Sequence, residues 1–209
     1  MIKRLIFDLD YTLIDWKDEY PLLIKDILNE HNINVDYKII DDVIESMETE
    51  YDHLDKNILL NDINKALNIE ISMDIIDELL EKQKTLSDYD IDKIELLKYL
   101  SSKFEIVVLT NYFTDVQKGR LEHAGLIPYI KEVYGGDLIP KFKPDASGFI
   151  KAIGDYNASE CLVIGDSVRC DINGALNVGM KALLIDSRHK YSDYQGKKIN
   201  SLYELKEML

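Results

Sequence analysis

The strongest constraint in this chain is a set of short apolar runs that each stop at polar, often acidic, residues. Residues 2–7 (IKRLIF) run into Asp8, Leu9 and Asp10. Glu105–Leu109 (EIVVL) runs into Thr110 and Asn111, and Cys161–Ile164 (CLVI) into Gly165, Asp166 and Ser167. Ala182–Ile185 (ALLI) is a further run, and Val133-Tyr134 a weaker one. Such runs, rich in Val, Ile and Leu, suit strands buried on both faces. Helical patterns separate them, over 92–102, 113–124, 146–155 and 171–178, with a last one over 201–208. This alternation predicts a Rossmann-like α/β core, a parallel sheet with helices on both faces.

One segment breaks the alternation. Between residues 18 and 84 four apolar sets recur at helical spacing: Leu22, Leu23, Ile27 and Leu28; Ile39, Ile40, Val43, Ile44 and Met47; Ile58, Leu59, Ile63, Ala66 and Leu67; Ile75, Ile76, Leu79 and Leu80. Asn32, Asn61 and Asn68 are candidate breaks or caps. Four helices joined by short loops predict a small bundle inserted after the first strand. Charge marks the same boundary. Residues 15–91 hold 21 Asp and Glu against 7 Lys and no Arg, which accounts for the whole net charge of −14. The expected division is therefore a core of 1–14 and 92–209, and a helical domain of 15–91.

Composition removes several classes. With 46% hydrophobic residues in 209, the chain can bury a substantial core. No apolar run approaches the roughly 18 residues of a membrane span. Asp8 and Asp10 end the first apolar run too early for a signal peptide. Cys161 and Cys170 have no metal or redox spacing, so a cytoplasmic protein with two structural thiols is expected. The acidic balance disfavours nucleic acid as a partner. Oligomeric state is open.

In open parallel sheets, sites form beyond the carboxyl ends of the strands. There this chain would gather Asp8 and Asp10; Thr110 and Asn111; Lys141, Lys143 and Asp145; and Asp166, Ser167 and Asp171. Crowded carboxylates repel unless a cation is present. Oxygen donors without His or Cys favour Mg²⁺ over zinc. A lysine and a hydroxyl beside the metal would suit a tetrahedral dianion.

At this point the chain resembles the haloacid dehalogenase superfamily phosphatases. Phe7-Asp8-Leu9-Asp10-Tyr11-Thr12-Leu13 is similar to their first motif and Leu109-Thr110-Asn111 to the second. Lys143-Pro144-Asp145 is similar to the third, and Gly165-Asp166-Ser167 with Asp171 to the fourth. The resemblance runs from residue 2 to about 186 in the family's order, and the inserted helices match a cap over the active site. It implies that Asp8 attacks phosphorus to form an aspartyl-phosphate, and that Asp10 protonates the leaving oxygen and then deprotonates water. It implies Mg²⁺ on Asp8, the Asp10 backbone carbonyl and Asp166, with charge on the transferring group met by Thr110, the Asn111 backbone N–H and Lys143. Asp171 would bind the metal through water or orient Lys143. Tyr11 stands where the family often has glycine, and Lys141 is the alternative to Lys143.

Plainer readings exist for some of these residues. Thr110 could bond its own turn. Asp171 could cap the 171–178 helix, and Ser167 could start it. Trp16 could touch substrate or pack at the hinge. His31, His53, His123 and His189 are scattered, as surface residues are.

The expected function is Mg²⁺-dependent hydrolysis of a small phosphate monoester, such as a sugar phosphate, phosphoglycolate or a nucleoside monophosphate. An Arg-free acidic cap clamps additional phosphates poorly, so monophosphates should be preferred. A phosphomutase of the same superfamily is the alternative. A non-catalytic phospho-acceptor module fits less well: it would carry its phosphorylated Asp after a later strand and lack the insert.

Overall fold

The computed structural model describes residues 1–15, 19–47 and 54–209, without the side chains of 43–47. Trp16, His53, Val43, Ile44 and Met47, named above, thus fall outside the described side chains. Six strands form one parallel sheet: β1 (Arg4–Phe7), β2 (Glu105–Leu109), β3 (Glu132–Tyr134), β4 (Cys161–Gly165), β5 (Lys181–Ile185) and β6 (Lys198–Ile199). Their order is β3-β2-β1-β4-β5-β6, so β1 lies between β2 and β4. The chain order reverses beside β1, and crevices for ligands open at such points. β6, a two-residue edge strand, has no counterpart in the sequence expectation.

Both faces of the sheet are buried. Leu5 and Phe7 of β1, Ile106 and Val108 of β2, and Leu162 and Ile164 of β4 share one cluster with Leu97 and Leu100. The intervening Ile6, Val107, Leu109 and Val163 share the other with Phe149, Ala152 and Ala175. This period-two division is why these strands read as unbroken apolar runs. The flanking helices are α5 (Ile91–Ser101), α6 (Thr114–His123), α7 (Ala146–Ile153), α8 (Gly174–Asn177) and α9 (Leu205–Met208).

Between β1 and α5 lie α1 (Glu19–Glu30), α2 (Tyr37–Met47), α3 (Lys56–Leu67) and α4 (Met73–Gln83). They pack on one another through Ile24, Ile27, Leu28, Ile63, Ile76 and Leu79, and their cluster extends onto Phe113 and Val116 of the core. Asp55 caps α3, accepting from the Asn57 and Ile58 amides at 2.7 and 2.9 Å. Asn68 ends that helix in the left-handed conformation, and Asn32 follows α1 in the same one. Asn61 does not break the chain as expected. It is exposed within α3, where asparagine costs only a fraction of a kcal/mol relative to alanine and packing elsewhere on the helix prevails. Among the described residues no helix is long and apolar enough to cross a membrane.

The expected helix over 171–178 also differs. It begins three residues earlier, as a π-helical turn over Val168–Asn173, followed by α8. Ser167 is its N-cap and accepts from the Cys170 amide at 3.0 Å, so Asp171 is not the cap. Both cysteines are free thiols.

Candidate active site

Asp8 follows directly on β1, its amide bound to the Ile164 carbonyl of β4 at 2.9 Å. That bond fixes the backbone of the loop, and the side chain is buried in the crevice. One carboxylate oxygen accepts from Lys143 Nζ at 2.6 Å, the other from the Thr12 hydroxyl at 3.1 Å. Lys143 Nζ also donates to Asp171 at 2.7 Å and to the Leu109 carbonyl at 2.9 Å. A buried ammonium thus sits among three acceptors: Asp8 just after β1, Leu109 at the end of β2, and Asp171 in the helical turn that follows β4. Asn111 secures it from behind: its side chain accepts from the Lys143 amide at 2.8 Å and donates to the Lys143 carbonyl at 3.2 Å. Lys141 is exposed. Asp171 takes its second hydrogen bond from the Ser167 amide at 3.0 Å. Gly165 makes room for it, since a Cβ there would lie 2.4 Å from the Asp171 carboxyl.

Burial pushes the Asp8 carboxyl up to about 8; Asp171, Asp166 and Asp10 add to this, and Lys143 opposes it. Burial followed by Asp171 also raises Asp166, against the pull of Arg188. Burial works against the charge on Lys143, but Asp171 and Asp8 outweigh it and hold the ammonium protonated. Oxygens of Asp8, Asp166 and Asp171 lie within 4.8 Å of one another. An oxygen-only set of mutually repelling carboxylates fits a hard divalent cation. The Asp10 carboxylate is not part of this set.

Asp10 instead turns to α6. It accepts from Gln117 Nε2 at 2.8 Å and from the guanidinium of Arg120. Gln117 also donates to the buried Thr110 hydroxyl at 3.1 Å. Sequence reasoning missed both partners. A Gln and an Arg three apart look like the solvated face of a helix, yet here that face is turned inward. It missed Arg188 as well, which pairs with Asp166 and lies 3.4 Å from the centre of the Tyr11 ring. Tyr11 takes φ 60°, the conformation for which glycine would be the usual choice.

Two residues beyond Thr110, Tyr112 of the core meets Tyr20 of α1 and Gln83 of α4. The two phenols lie 3.3 Å apart, and Tyr112 donates to Gln83 at 2.9 Å. Burial raises both phenols, which stay neutral.

The family model described as haloacid dehalogenase-like hydrolase matches residues 5–185. The pyrimidine 5'-nucleotidase PynA of Streptococcus pneumoniae is 29% identical over 109 residues, 51% of this chain and 46% of that protein. The pyrimidine 5'-nucleotidase YjjG of Escherichia coli is 28% identical over 123 residues, 56% and 54% of the two chains. The chain thus spans about half the length of these curated relatives. The solved structure of the HAD-hydrolase YfnB of Bacillus subtilis, bound to magnesium, superposes with a TM-score of 0.80 at 20% identity, covering 100% of this chain and 98% of that one.

Proposed function

The chain belongs to the haloacid dehalogenase-like hydrolases, and from that premise we propose that it hydrolyses phosphate monoesters of small cytoplasmic metabolites, with Mg²⁺, through an aspartyl-phosphate on Asp8. The observation that carries this reading is the junction of Lys143 with Asp8 and Asp171, with Asp166 across the same crevice. Asp8 is the nucleophile: its oxygen forms a bond to phosphorus as the ester oxygen leaves. Asp10 gives that oxygen a proton, then removes one from the water that opens the acyl phosphate. Thr110, the Asn111 amide and Lys143 meet the charge on the transferring group. Asp8, Asp166 and the Asp10 carbonyl would hold Mg²⁺, which would supply the positive charge that lets an anionic nucleophile approach an anionic ester. Asp171 orients Lys143, a role supported by its 2.7 Å contact.

Helices α1 to α4, with their flanking segments over 15–91, serve as a cap over this site. Among the described residues the cap side chains that hydrogen-bond Tyr112 are the neutral Tyr20 and Gln83, and residues 15–91 contain no arginine. That chemistry favours a single phosphate on a polar, uncharged body. Two relatives are pyrimidine 5'-nucleotidases, so nucleoside monophosphates head the candidates.

The test is phosphate release from a panel of phosphorylated metabolites, with Mg²⁺ and again with EDTA. Release from monophosphates only in the presence of Mg²⁺ is expected. Silence across the panel and across pH would sink the hydrolase reading. Isomer without free phosphate from a hexose 1-phosphate would make it a mutase, and a preference for bisphosphates would refute the argument from cap chemistry.

A further inference from the structure

Among the described residues, Asp10 is the one carboxylate at the crevice whose side-chain partners, Gln117 and Arg120, both come from a single helix outside the four sequence motifs. Gln117 and Arg120 lie three residues apart on α6 and so share a face. Their exposures are 0% and 2%. Arginine is almost never this buried unless its guanidinium is paired. Here one amino group meets Asp10 Oδ1 and, at 2.9 Å, Gln117 Oε1, while Nε donates to the Leu86 carbonyl at 2.9 Å. Leu86 lies in the segment that returns from α4 to α5. The backbone of Arg120 is tied to the same segment, its carbonyl accepting from Ser87 Oγ at 2.9 Å. Gln117 completes the ring, with its amide nitrogen on Asp10 Oδ2 and on Thr110 Oγ1.

Every named contact constrains orientation. Both oxygens of Asp10 are engaged, which fixes the plane of the carboxyl. A carboxylate has about four acceptor positions, so lone pairs remain for the ester oxygen or water. The Leu86 contact anchors the far side of the guanidinium and stops it rotating with Asp10. We propose that Gln117 and Arg120 are positioning residues for Asp10: they hold the general acid in the one orientation from which its proton reaches the leaving oxygen. Through Thr110, Gln117 fixes that orientation relative to the phosphate. This inference rests on the reading of Asp10 as the acid.

The experiment compares kcat/KM for an alkyl phosphate and an aryl phosphate in the unmodified chain, Asp10→Asn, Arg120→Lys and Gln117→Leu. This parameter reports formation of the phosphoenzyme, the step that needs the acid. An alkoxide leaves poorly without a proton, whereas an activated aryl oxide leaves unaided. Arg120→Lys keeps the charge but cannot span Asp10 and Leu86 together. Gln117→Leu keeps the volume and removes both donors. Each is expected to lose about tenfold or more on the alkyl ester and less than about threefold on the aryl ester, the pattern of an acid out of place. A role in folding alone would lower both together. Equal losses in both variants, with Asp10→Asn still discriminating, would overturn this inference and leave Asp10 as the acid. Equal losses in Asp10→Asn would overturn the acid reading and the inference with it. If Arg120→Lys does not fold, Gln117→Leu decides alone.

Discussion

Replacing Asp8 by asparagine should abolish turnover and at the same time stabilise the metal-free protein. The side chain is buried beside Asp166 and Asp171, and burial is the main reason its carboxyl is raised to about 8. A group whose folded pKa lies above its unfolded value, here near 4, contributes stability that is complete below the unfolded pKa. That stability is lost as pH rises towards the folded pKa. The relevant window therefore runs from about pH 4 to about pH 8, with a slope of about 1.4 kcal/mol per pH unit for one proton. Asparagine is isosteric, accepts from Lys143, and can donate to the Thr12 hydroxyl in place of accepting from it. It cannot ionise, so its profile lacks this slope. Between pH 5 and pH 8 the variant should gain about 3–4 kcal/mol on the unmodified chain. Urea unfolding in EDTA at half-unit steps of pH measures this directly. Adding Mg²⁺ should then favour the unmodified chain by mass action, and the variant less, because one ligand has lost its charge. Parallel pH profiles in EDTA would refute the reasoning, since they would mean that Asp8 carries no burial penalty.

Two further outcomes follow from the same geometry. Gly165→Ala should leave the protein folded by circular dichroism but lower kcat at least tenfold. The new Cβ would meet the Asp171 carboxyl, and that carboxyl is pinned by Lys143 and the Ser167 amide, so it cannot move aside without displacing the lysine; activity near that of the unmodified chain would show that Asp171 does not orient Lys143. Mg²⁺ affinity measured by calorimetry should rise from pH 6 to pH 8, because the cation selects the ionised form of Asp8 while burial favours the protonated one. Repeating the titrations in buffers of different ionisation enthalpy should reveal proton release on binding.

The sequence carried the sheet because its central strands are buried on both faces. Leu5, Ile6 and Phe7 must all be apolar when Leu5 and Phe7 face one layer and Ile6 the other. The same logic fails at the edge. β6 is two residues long and pairs only with β5, so it leaves no pattern to read. After β4 an apolar helical spacing marks a helix, but propensity does not separate a π-turn from an α-turn. The side chain that caps its start, Ser167, therefore had to compete with Asp171 for that role. Asn61 shows the opposite error: a residue of poor helix propensity is overridden by a helix that buries Leu59 and Ile63.

At the candidate site the same difference separates what could be read from what could not. Asp8, Thr110 and Asp166 follow directly on β1, β2 and β4, where connectivity alone brings them together, and Lys143 reaches them from the loop between β3 and α7. Their types are telling because buried carboxylates and a buried lysine require one another. Gln117 and Arg120 reach the site from the first turns of α6, and nothing local announces which face of that helix turns inward. The available signal was negative. From Thr114 to His123 the apolar residues are only Val116 and Leu121, too few to bury a helix against a sheet. A helix so polar must either stand in solvent or pack its polar face against charge of the opposite sign. Asp10 and the Leu86 carbonyl supply acceptors for that face, so the helix that is least apolar in sequence holds the side chain expected to move the proton.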